Sequence, residues 1–510
     1  MGKKKDKEKV IVTSVGTSTS GVTGSCWTVS YPKDDNTRGL FIVEMGLPQG
    51  EHTIEKQYNT MERMAKSIVN GGYLSNTETN TSVNACFGHS HVDHIGLMPL
   101  MNSENGFRGK IYGSKESIEI SKRLWKDCYK IQNSHVKYLN SKGKNKKLIY
   151  TESQMYDMFD HLVAATPDEE IVVDSNLKIK FKHNSHTIDS CNISIYCKIP
   201  STKRWKKVLY TSDLGSKVNF DLSHYLKQQD ISTEHYDLVI SEATYSSDNE
   251  ERKMTKKLAK QEREELRKLI LSSLKEGKRV LLPTFSFSRS QQLITYFYEW
   301  FKDDEWIKNN GINFIMDSNL MLSVNEAYAN ILEDEEKELF TEVMSWNRLK
   351  KIDTYQGTMT FLADKRPSVA LVSSGFMENG KITSYLPIYV GSSRAVIIIT
   401  GYCSQDNQGS MGSKILGEQK TITFNTDSKK DRTTVIKRAE VYQFKTFSSH
   451  ISHDELLNLF VELNCSKIVI HHCNEENKED FTKECKKYLR DRNKTTQVTC
   501  VSKSTNQFVL

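Results

Sequence analysis

The sequence has no uninterrupted apolar run long enough to cross a bilayer, and no apolar stretch follows its basic N-terminus, MGKKKDKEKV. A transmembrane helix needs about 20 consecutive apolar residues. A secretory signal needs an apolar core behind its positively charged start. The sequence therefore argues against a membrane protein and against secretion, and we expect a cytoplasmic protein with no membrane partner.

The sequence also has no CxxC pair among its ten cysteines, and it has no internal repeat or low-complexity domain. In a large chain without an export signal, scattered cysteines are typical of buried free thiols, which excludes a disulfide framework. The absence of repeats excludes a solenoid. The net charge of +7 is mild for 510 residues, but its sign suits a partner that carries phosphates.

The length suggests roughly three units, or one large domain with an insertion. Strand-like and helical segments alternate up to residue 246, which predicts an α/β architecture. A helix with Leu266, Ile270 and Leu274 at helical spacing starts a second α/β unit. We therefore divide the chain into 1–246, 247–439 and 440–510. The lysine-rich segments Ser141–Lys147 and Asp427–Lys437 are predicted to be surface loops, with an RNA contact as the alternative for the first.

The strongest functional signal is the run CFGHSHVDHIGLMP, in which His89, His91, Asp93 and His94 form the pattern HxHxDH directly after an apolar strand. Imidazole nitrogens and carboxylate oxygens are the ligands that zinc accepts. A loop at a strand end can turn alternate residues toward two neighbouring ions. The spacing therefore assigns His89 and His91 to one metal and Asp93 and His94 to the other, against the alternative of a polar turn.

Two zinc ions need more ligands than this loop provides, and two further residues stand at suitable places. His186 lies between two strands in KHNSHTIDS, and Asp213 follows another strand in LYTSDLG. An aspartate there can bridge two ions ~3.5 to 4 Å apart with its two oxygens, as two-metal hydrolases require. Taken singly, each residue is also explained as a turn former or as an ordinary polar side chain.

These motifs resemble the metallo-β-lactamase superfamily, whose second, third and fourth motifs are similar to HSHVDH, the His186 loop and TSDLG. The blocks LVISEATYSS, GKRVLLPTFSFSRSQQL, PSVALVSSGFMENG and VIIITGYC resemble the β-CASP insertion of RNA-processing members such as ribonuclease J. The resemblance covers nearly the whole chain. It implies a metallo-β-lactamase αββα sandwich with an inserted β-CASP α/β domain.

The resemblance also implies a two-zinc enzyme, with manganese as an alternative metal, in which a metal-bridging hydroxide attacks an RNA phosphodiester. One zinc would be held by His89, His91, His186 and Asp213, and the other by Asp93, His94, Asp213 and His471. The implied catalytic residues are Asp93, Glu242 and His450. Glu242 would hydrogen-bond His450, which would deliver a proton to the leaving oxygen.

Some assignments have competitors within the sequence. His472 competes with His471 for the last ligand position, because successive side chains of a strand point to opposite faces. We favour His471 because it directly follows the apolar run IVI. His453 competes with His450 but lies on the helix that follows. The family's first motif is an aspartate, and here Glu44 stands in its place; Cys473 stands where the family has a glutamate.

RNA is the expected partner because RNA-processing members of the family have a histidine at the position of His471. In the inserted domain, Arg289, Ser373, Ser374 and Gly375 are predicted to contact a phosphate backbone, although a turn built for packing explains them equally well. The alternatives are a nuclease acting on single-stranded DNA and a non-catalytic relative that binds RNA or protein. A small-molecule hydrolase would not need the long insertion. Family members are often dimers, so a homodimer is an alternative to a monomer.

Overall fold

The computed structural model of the chain describes residues 8–16, 22–51, 53–75, 83–231, 233–247, 254–401, 410–425 and 432–510. The chain divides into two compact units. Unit 1 comprises Met1–Phe220, Leu226–Lys253 and Ser449–Leu510, and unit 2 comprises Asp221–Tyr225 and Met254–Ser448. The boundaries that the sequence suggests, at 246 and 439, stay predictions.

Unit 1 contains two seven-stranded sheets. The first sheet has the order β22-β1-β2-β3-β4-β5-β6. Its strands are β1 (Ile11–Ser14), β2 (Trp27–Pro32), β3 (Arg38–Val43), β4 (Asn84–Cys86), β5 (Ile111–Ser114), β6 (Leu162–Ala165) and β22 (Gln507–Val509). The second sheet has the order β21-β20-β11-β10-β9-β8-β7. Its strands are β7 (Glu170–Asp174), β8 (Leu177–His183), β9 (Cys191–Lys198), β10 (Trp205–Tyr210), β11 (Leu238–Glu242), β20 (Lys467–His471) and β21 (Gln497–Cys500).

Helices cover the outer faces of these sheets. They are α1 (Ile54–Asn70), α2 (Val92–Ile95), α3 (Lys115–Ser141), α4 (Glu152–Phe159), α5 (Lys217–Phe220), α14 (His453–Glu462) and α15 (Lys478–Arg490). Helix α3 begins where the Ser114 hydroxyl accepts the backbone N–H of Ser117. Helix α14 begins with a capping box between Ser452 and Glu455. Such caps satisfy backbone donors that a helix start leaves free.

The main core of unit 1 lies between its two sheets. In β9, the alternating residues Cys191, Ile193, Ile195 and Cys197 all point into this core, where they meet residues such as Trp27 of the first sheet. This period of two is expected for strands with one face in a shared core. On the other face of the second sheet, residues of α14 and α15 form a further cluster. The layers are therefore helix, sheet, sheet and helix.

Unit 2 is built on a six-stranded sheet with the order β14-β13-β15-β12-β16-β19, in which every neighbouring pair is parallel. Its strands are β12 (Arg279–Pro283), β13 (Asn313–Asp317), β14 (Leu349–Ile352), β15 (Ser368–Val372), β16 (Ala395–Ile399) and β19 (Glu440–Gln443). Val280 and Leu282 of β12 enter one core cluster, whereas Leu281 enters the cluster on the opposite face. Both faces are buried, as is usual for parallel sheets.

The helices of unit 2 connect and cover these strands. They are α6 (Lys256–Lys275), α7 (Arg289–Phe301), α8 (Glu305–Asn309), α9 (Asn319–Ile331), α10 (Asp334–Ser345), α11 (Tyr355–Ala363), α12 (Ile382–Val390) and α13 (Met411–Leu416). A two-stranded hairpin, β17 (Thr421–Asn425) and β18 (Arg432–Ile436), adds Ile422 and Phe424 to the core. Alternating strands and helices produce this arrangement because parallel strands need crossover connections.

The predicted fold class, a two-sheet sandwich with an inserted α/β domain, is confirmed. The loop predicted at Asp427–Lys437 is wrong in part, because Arg432–Ile436 is a strand paired with Thr421–Asn425; residues 427–431 lie outside the described residues. All nine cysteines within the described ranges are free thiols, as predicted. Over those same ranges, we find no helix with the length and apolar character that a bilayer crossing requires.

Candidate metal centre

The predicted ligand residues of unit 1 lie where strands of its two sheets end. Glu44 follows β3, and the loop with His89 and His91 follows β4, its parallel neighbour. In the second sheet, Asp213 follows β10, and Glu242 is the last residue of β11, which is parallel to β10. The carboxyl ends of neighbouring parallel strands meet at one edge of a sheet, where ligands commonly bind.

One group of side chains comprises His89, His91, His186 and Asp213, whose ligand-type atoms converge. Nδ1 of His91 lies 3.0 Å from Nε2 of His89 and 3.2 Å from Nε2 of His186. Oδ2 of Asp213 lies 3.6 Å from each of those two Nε2 atoms. Residues more than 120 positions apart in the chain therefore present four ligand atoms to one point.

A second group comprises Asp93, His94 and His472. Oδ2 of Asp93 lies 3.4 Å from Nε2 of His472 and 3.8 Å from Nε2 of His94. Nε2 of His94 is also 3.3 Å from Oδ2 of Asp213, and Nδ1 of His472 is 3.6 Å from Oδ1 of Asp213. Asp213 therefore stands between the two groups.

The spacing of these atoms fits divalent cations. Zinc bonds of ~2.0 to 2.1 Å in a tetrahedron place neighbouring ligand atoms about 3.3 Å apart. The four distances measured in the first group run from 3.0 to 3.6 Å. Oδ1 of Asp213 is buried and accepts no hydrogen bond from any described residue. A buried carboxylate oxygen without a donor is costly unless a cation compensates it.

Glu44 orients one histidine of each group. Its Oε2 accepts from Nδ1 of His94 at 2.6 Å, and its Oε1 accepts from the Ser212 hydroxyl at 2.9 Å. That hydroxyl in turn lies 2.9 Å from Nδ1 of His89. Because a carboxylate only accepts, Nδ1 of each ring carries a proton, and Nε2 is the nitrogen directed at the centre. Tyr210 also donates to Glu44. Such outer partners fix ring orientation and raise ligand basicity.

Glu242 and His450 form a pair beside the first group. Nδ1 of His450 lies 3.0 Å from Oε1 of Glu242. Backbone N–H groups of Leu214 and Thr244 donate to the same carboxylate at 2.7 and 3.0 Å, so Glu242 is fixed in position. The His450 ring lies 4.5 Å from the ring of His186, measured between centroids. His450 is 21% exposed, whereas Glu242 is fully buried, so only the histidine is accessible to a substrate.

The structure brings His472, and not the predicted His471, to the second group. His471 packs its ring against Trp27 and Tyr210, with centroids 5.5 and 5.4 Å away, and neither ring nitrogen has a hydrogen-bond partner among the described residues. His472 turns toward Asp93 instead. The cause is local: β20 ends at His471, whose side chain faces the core, and His472 adopts a left-handed backbone with φ of 49°.

Backbone of unusual conformation surrounds the centre. Glu44, Ser185, Ser212 and His472 all have positive φ, between 49° and 63°, although none is glycine. Such strained residues persist where the surrounding structure fixes them, and they cluster at functional sites. Gly88 is needed for a different reason, because a Cβ there would lie 2.5 Å from the Ser212 hydroxyl. The loops are therefore held close together at some local cost.

The electrostatics of the two groups differ. Burial, and then the neighbouring imidazoles, lower the pKa of His89 and His186 well below the usual histidine value, and burial lowers the pKa of His91 to about 4. Neutral imidazoles are the form that binds metals. Burial also disfavours a charged His94, but Asp213 and Glu44 outweigh it and raise the pKa of His94 well above the usual value.

His450 has the electrostatics of a charged donor. Burial lowers its pKa, but the charge of Glu242 and the hydrogen bond to it are stronger, and together they raise the pKa of His450 to about 9. Asp213 stays ionised, because the charges of His472 and His94 outweigh burial and lower its pKa well below the usual value. The centre thus holds both neutral ligands and a positively charged histidine at its edge.

The four residues predicted to contact substrate belong to unit 2, where their polar groups bond within that unit. Arg289 is buried at the start of α7 and donates to the carbonyl of Thr400. The hydroxyl of Ser373 donates to Ser318 at 2.7 Å, and that of Ser374 donates to the carbonyl of Asn379 at 3.0 Å. At Gly375, an added Cβ would meet Phe285 at 3.0 Å. These contacts favour a packing role, and substrate binding here stays a prediction.

The sequence did not single out three residues that the structure places around the ligands. Tyr210 and Ser212 both contact Glu44, and Thr244 lies 3.1 Å from Nδ1 of His472 through its hydroxyl. The alternation rule for strands could not have found Ser212, because β10 ends at Tyr210 and Ser212 has a left-handed backbone. His453, the competitor of His450, lies in α14 and pairs with Glu484 at 3.1 Å.

Comparison with known proteins agrees with the motifs. A model of the Beta-Casp domain matches residues 290–415. Endoribonuclease YSH1 of Candida glabrata is 24% identical over 389 residues, which are 75% of this chain and 47% of that protein. The chain thus spans about half the length of the YSH1 proteins that it matches. The RNase J-like protein of Methanocaldococcus jannaschii is 23% identical over 324 residues, which are 63% of this chain and 67% of that protein.

The fold as a whole also has a counterpart among solved structures. The crystal structure of a protein of unknown function from Enterococcus faecalis V583 matches with a TM-score of 0.50 at 13% identity, over 98% of this chain and 100% of that chain. The sequence-based recognition is confirmed by these findings. The chain contains a β-CASP domain and is a distant homologue of the YSH1 endoribonucleases and the RNase J-like protein, within the metallo-β-lactamase/β-CASP family.

Proposed function

We propose that this chain is a two-metal phosphodiesterase that hydrolyses RNA. The observation that carries the proposal is the convergence of two groups of ligand-type side chains on either side of one buried aspartate, Asp213. A single carboxylate that faces two such groups is the arrangement that holds paired ions in two-metal hydrolases.

The proposed ligands follow from the distances. One metal is held by His89, His91, His186 and Asp213, and the other by Asp93, His94, His472 and Asp213. His472 takes the position first given to His471. Nitrogen and carboxylate donors suit zinc, and manganese is the alternative that carboxylates and imidazoles also accept. When bound, the pair of ions polarises a phosphodiester and activates water for its hydrolysis.

The protein's own groups supply positioning and proton transfer. Glu242 accepts from Nδ1 of His450 and thereby directs the opposite ring nitrogen, Nε2, away from itself. In the proposed reaction, Nε2 of His450 gives its proton to the oxygen that leaves when the phosphodiester is cut. Asp93 is both a ligand and the acceptor that faces Nε2 of His472 at 3.4 Å. Glu44 keeps His89 and His94 turned toward the ions.

We propose RNA and not DNA as the substrate because of the names of the matched relatives. The YSH1 proteins are named endoribonucleases, and the second relative is named RNase J-like. The positive net charge of the chain suits either nucleic acid. A non-catalytic relative is the less favoured alternative, because the ligand atoms and the Glu242–His450 pair are all in place. The substitution of the family's aspartate by Glu44 is also accommodated, since Glu44 hydrogen-bonds His94.

The test is cleavage of end-labelled RNA and of single-stranded DNA of the same sequence by the purified chain, with zinc, with manganese and with chelator. We expect RNA to be cut more rapidly than DNA, and chelator to stop the reaction. A His91→Ala variant should lose cleavage because it removes a ligand of the first group. His235→Ala is the matched control, because His235 is exposed and bonds Asn464 and Ser466 at a distance from the centre.

Two results would contradict the proposal. Cleavage that persists undiminished in chelator would exclude metal-dependent hydrolysis. RNA cleavage that is equally rapid in His91→Ala and His235→Ala would show that the cluster does not carry the reaction. Faster cleavage of DNA than of RNA would instead keep the metal mechanism and replace the substrate.

A further inference from the structure

Four lysines of helix α3 lie along one side of it. Lys122, Lys126, Lys130 and Lys137 project within a sector of about 80° when the helix is drawn at 3.6 residues per turn. They extend over about 22 Å of its length at 1.5 Å per residue. We call these four residues the lysine stripe. All are at least partly exposed.

The lysine stripe has little compensation from acidic groups, since Asp127, which interacts with Lys130, is largely buried and forms no close ion pair with it. None of its four ammonium groups forms an ion pair with any residue in the described ranges, and the nearby Glu119 is taken up by Arg123 at 2.8 Å. Helix α6 of unit 2 differs. There Lys256 pairs with Asp221 at 2.8 Å, and Arg267 pairs with Glu264 at 2.7 Å. Both helices are lysine-rich, but α6 pairs part of its basic side chains with acidic ones, whereas no stripe lysine has such a partner within 4 Å among the described residues.

The stripe also lies in the segment that accounts for the net charge of the chain. Residues 115–147 contain ten lysines and arginines and three acidic residues, a net charge of +7. The remainder of the chain carries 61 basic and 61 acidic residues and is neutral. A protein whose whole excess of positive charge is on one helix and its following loop has a local electrostatic footprint for a polyanion.

Aromatic rings accompany two of the lysines. Nζ of Lys122 lies 5.9 Å from the ring of Phe159, and Nζ of Lys126 lies 5.5 Å from the ring of Tyr156, both in α4. Tyr156 is 46% exposed. Proteins that hold single-stranded nucleic acids combine basic residues for the backbone with exposed aromatic rings for base stacking. The stripe therefore offers both kinds of contact within two neighbouring helices.

The opposite side of α3 touches the metal-binding loop. The hydroxyl of Ser90 donates to the carbonyl of Ser117 at 3.0 Å, and that of Ser121 donates to Ser90 at 2.9 Å. The indole N–H of Trp125 donates to the carbonyl of Ile95 at 2.8 Å. The helix that carries the stripe is thus fixed directly to the loop that carries His89, His91, Asp93 and His94.

From these observations we infer that the lysine stripe is a binding surface for the sugar-phosphate backbone of single-stranded RNA, outside the metal centre. The inference rests on the proposed function. A membrane surface fits less well, because the apolar side of α3, with Leu124 and Trp125, is buried in unit 1 and cannot insert into lipid. An RNA bound by the stripe is therefore bound to unit 1, which also contains the metal centre.

The test compares the full-length chain with a variant in which all four stripe lysines are replaced, Lys122→Gln, Lys126→Gln, Lys130→Gln and Lys137→Gln. Fluorescence anisotropy of a labelled single-stranded RNA of about 30 nucleotides, in chelator and over a range of salt, gives the dissociation constant. We expect the variant to bind about tenfold or more weakly near 0.1 M salt. The slope of log K against log salt should fall by up to about 3, since each lost phosphate contact contributes about 0.7.

The matched control removes the same charge from another exposed part of unit 1, with Lys486→Gln, Lys487→Gln, Lys494→Gln and Lys503→Gln. We expect its RNA affinity and salt slope to remain near those of the wild type. Cleavage of a dinucleotide, which spans a single phosphodiester bond, should proceed equally in all three proteins. This second readout shows that the stripe variant is folded.

The outcomes separate the two proposals. If the wild type binds long RNA through the stripe but cuts no RNA, the proposed function fails and the stripe stands. If the wild type cuts RNA and both quadruple variants bind the long RNA equally, the stripe is refuted and the proposed function stands. Stripe-dependent binding to vesicles containing anionic lipid, with unchanged RNA affinity, would assign the surface to a membrane and overturn the inference.

Discussion

Two buried aspartates, one in each unit, show how differently the same side chain is used. Asp317 is the last residue of β13, and its carboxylate accepts from Lys381 at 2.5 Å, from Thr358 at 2.8 Å and from Tyr385 at 2.5 Å. Asp213 follows β10 and is equally buried, but its neighbours are imidazole nitrogens at 3.3 to 3.6 Å, and its Oδ1 has no donor among the described residues.

The difference teaches what to look for at a strand end. Taking a carboxylate out of water costs several kcal/mol, and a protein can offset this with donors and a counter-ion of its own. Asp317 has donors in Thr358 and Tyr385 and a counter-ion in Lys381, so its role is structural. Asp213 lacks a full set of donors and a dedicated counter-ion. Its neighbours are imidazoles that are themselves arranged as candidate metal ligands. The geometry of the partners, and not burial alone, distinguishes a structural carboxylate from one placed to bind a metal.

The largest expected effect is from Asp213→Asn. The amide keeps the shape of the side chain but removes the charge that both proposed metals share, so bound zinc should fall and RNA cleavage should drop about a thousandfold or more, roughly 4 kcal/mol. Zinc content and cleavage rate measure these two quantities.

This prediction would be contradicted by full zinc occupancy in Asp213→Asn. Asp237→Asn is the matched control in the same unit, because Asp237 is partly exposed and bonds Lys206 and the backbone of Lys207.

The converse behaviour is expected for Asp317→Ala. Removing the carboxylate leaves Lys381 without its counter-ion and the buried Tyr385 hydroxyl without its acceptor, which should lower the free energy of unfolding of unit 2 by about 3 kcal/mol. Zinc content per folded molecule should not change. Urea denaturation followed by circular dichroism measures the loss.

Asp364→Ala provides the control for that measurement. Asp364 pairs with Arg366 at 2.6 Å, but Arg366 is 81% exposed, and surface pairs contribute about 0 to 1 kcal/mol. If both variants lose the same stability, or if Asp317→Ala loses zinc instead, the contrast between the two aspartates is wrong.

The third prediction distinguishes His471, the last residue of β20, from His472, which follows it. His472→Ala should weaken binding of one metal by about a hundredfold or more, beyond what loss of an outer partner costs. His471→Leu should keep both metals, because His471 packs among Trp27 and Tyr210 with no polar partner in the described chain. It should leave stability unchanged or raise it by about 1 kcal/mol, since an unsatisfied buried polar group is removed. Metal titration and thermal melting measure both. If His471→Leu lost metal and His472→Ala did not, His471 would be the ligand, as the sequence first suggested.

Much of the fold could be predicted because its signals are local. The alternation of Cys191, Ile193, Ile195 and Cys197 and the helical spacing of Leu266, Ile270 and Leu274 each follow from one side of an element facing a core. The strand Arg432–Ile436 was missed because its lysine- and threonine-rich surroundings resemble a loop. Its partner strand ends at Asn425, and the sequence of neither segment alone predicts that the two strands pair.

The candidate site was only partly predictable, for a similar reason. The pattern HxHxDH places four side chains on one short loop, so chemistry alone indicates a metal. The choice between His471 and His472 depends instead on a left-handed backbone at His472, which no residue type announces. The role of Ser212 depends on contacts with Glu44 and His89, which lie more than 120 positions away in the chain. Sequence spacing does not report such distant neighbours.

The smallest expected effect comes from Glu44→Gln, which touches no metal in the proposed centre. The amide keeps the size of Glu44 but can no longer accept from His94 and Ser212 with full charge, so both rings are oriented less firmly. Loss of such an outer partner costs about 10- to 100-fold in metal affinity, with a cleavage loss of similar size at limiting zinc. At saturating zinc, cleavage should recover toward the wild type, which Asp213→Asn cannot do. Failure to recover would mean that Glu44 acts in the reaction itself, and not through the histidines that it holds.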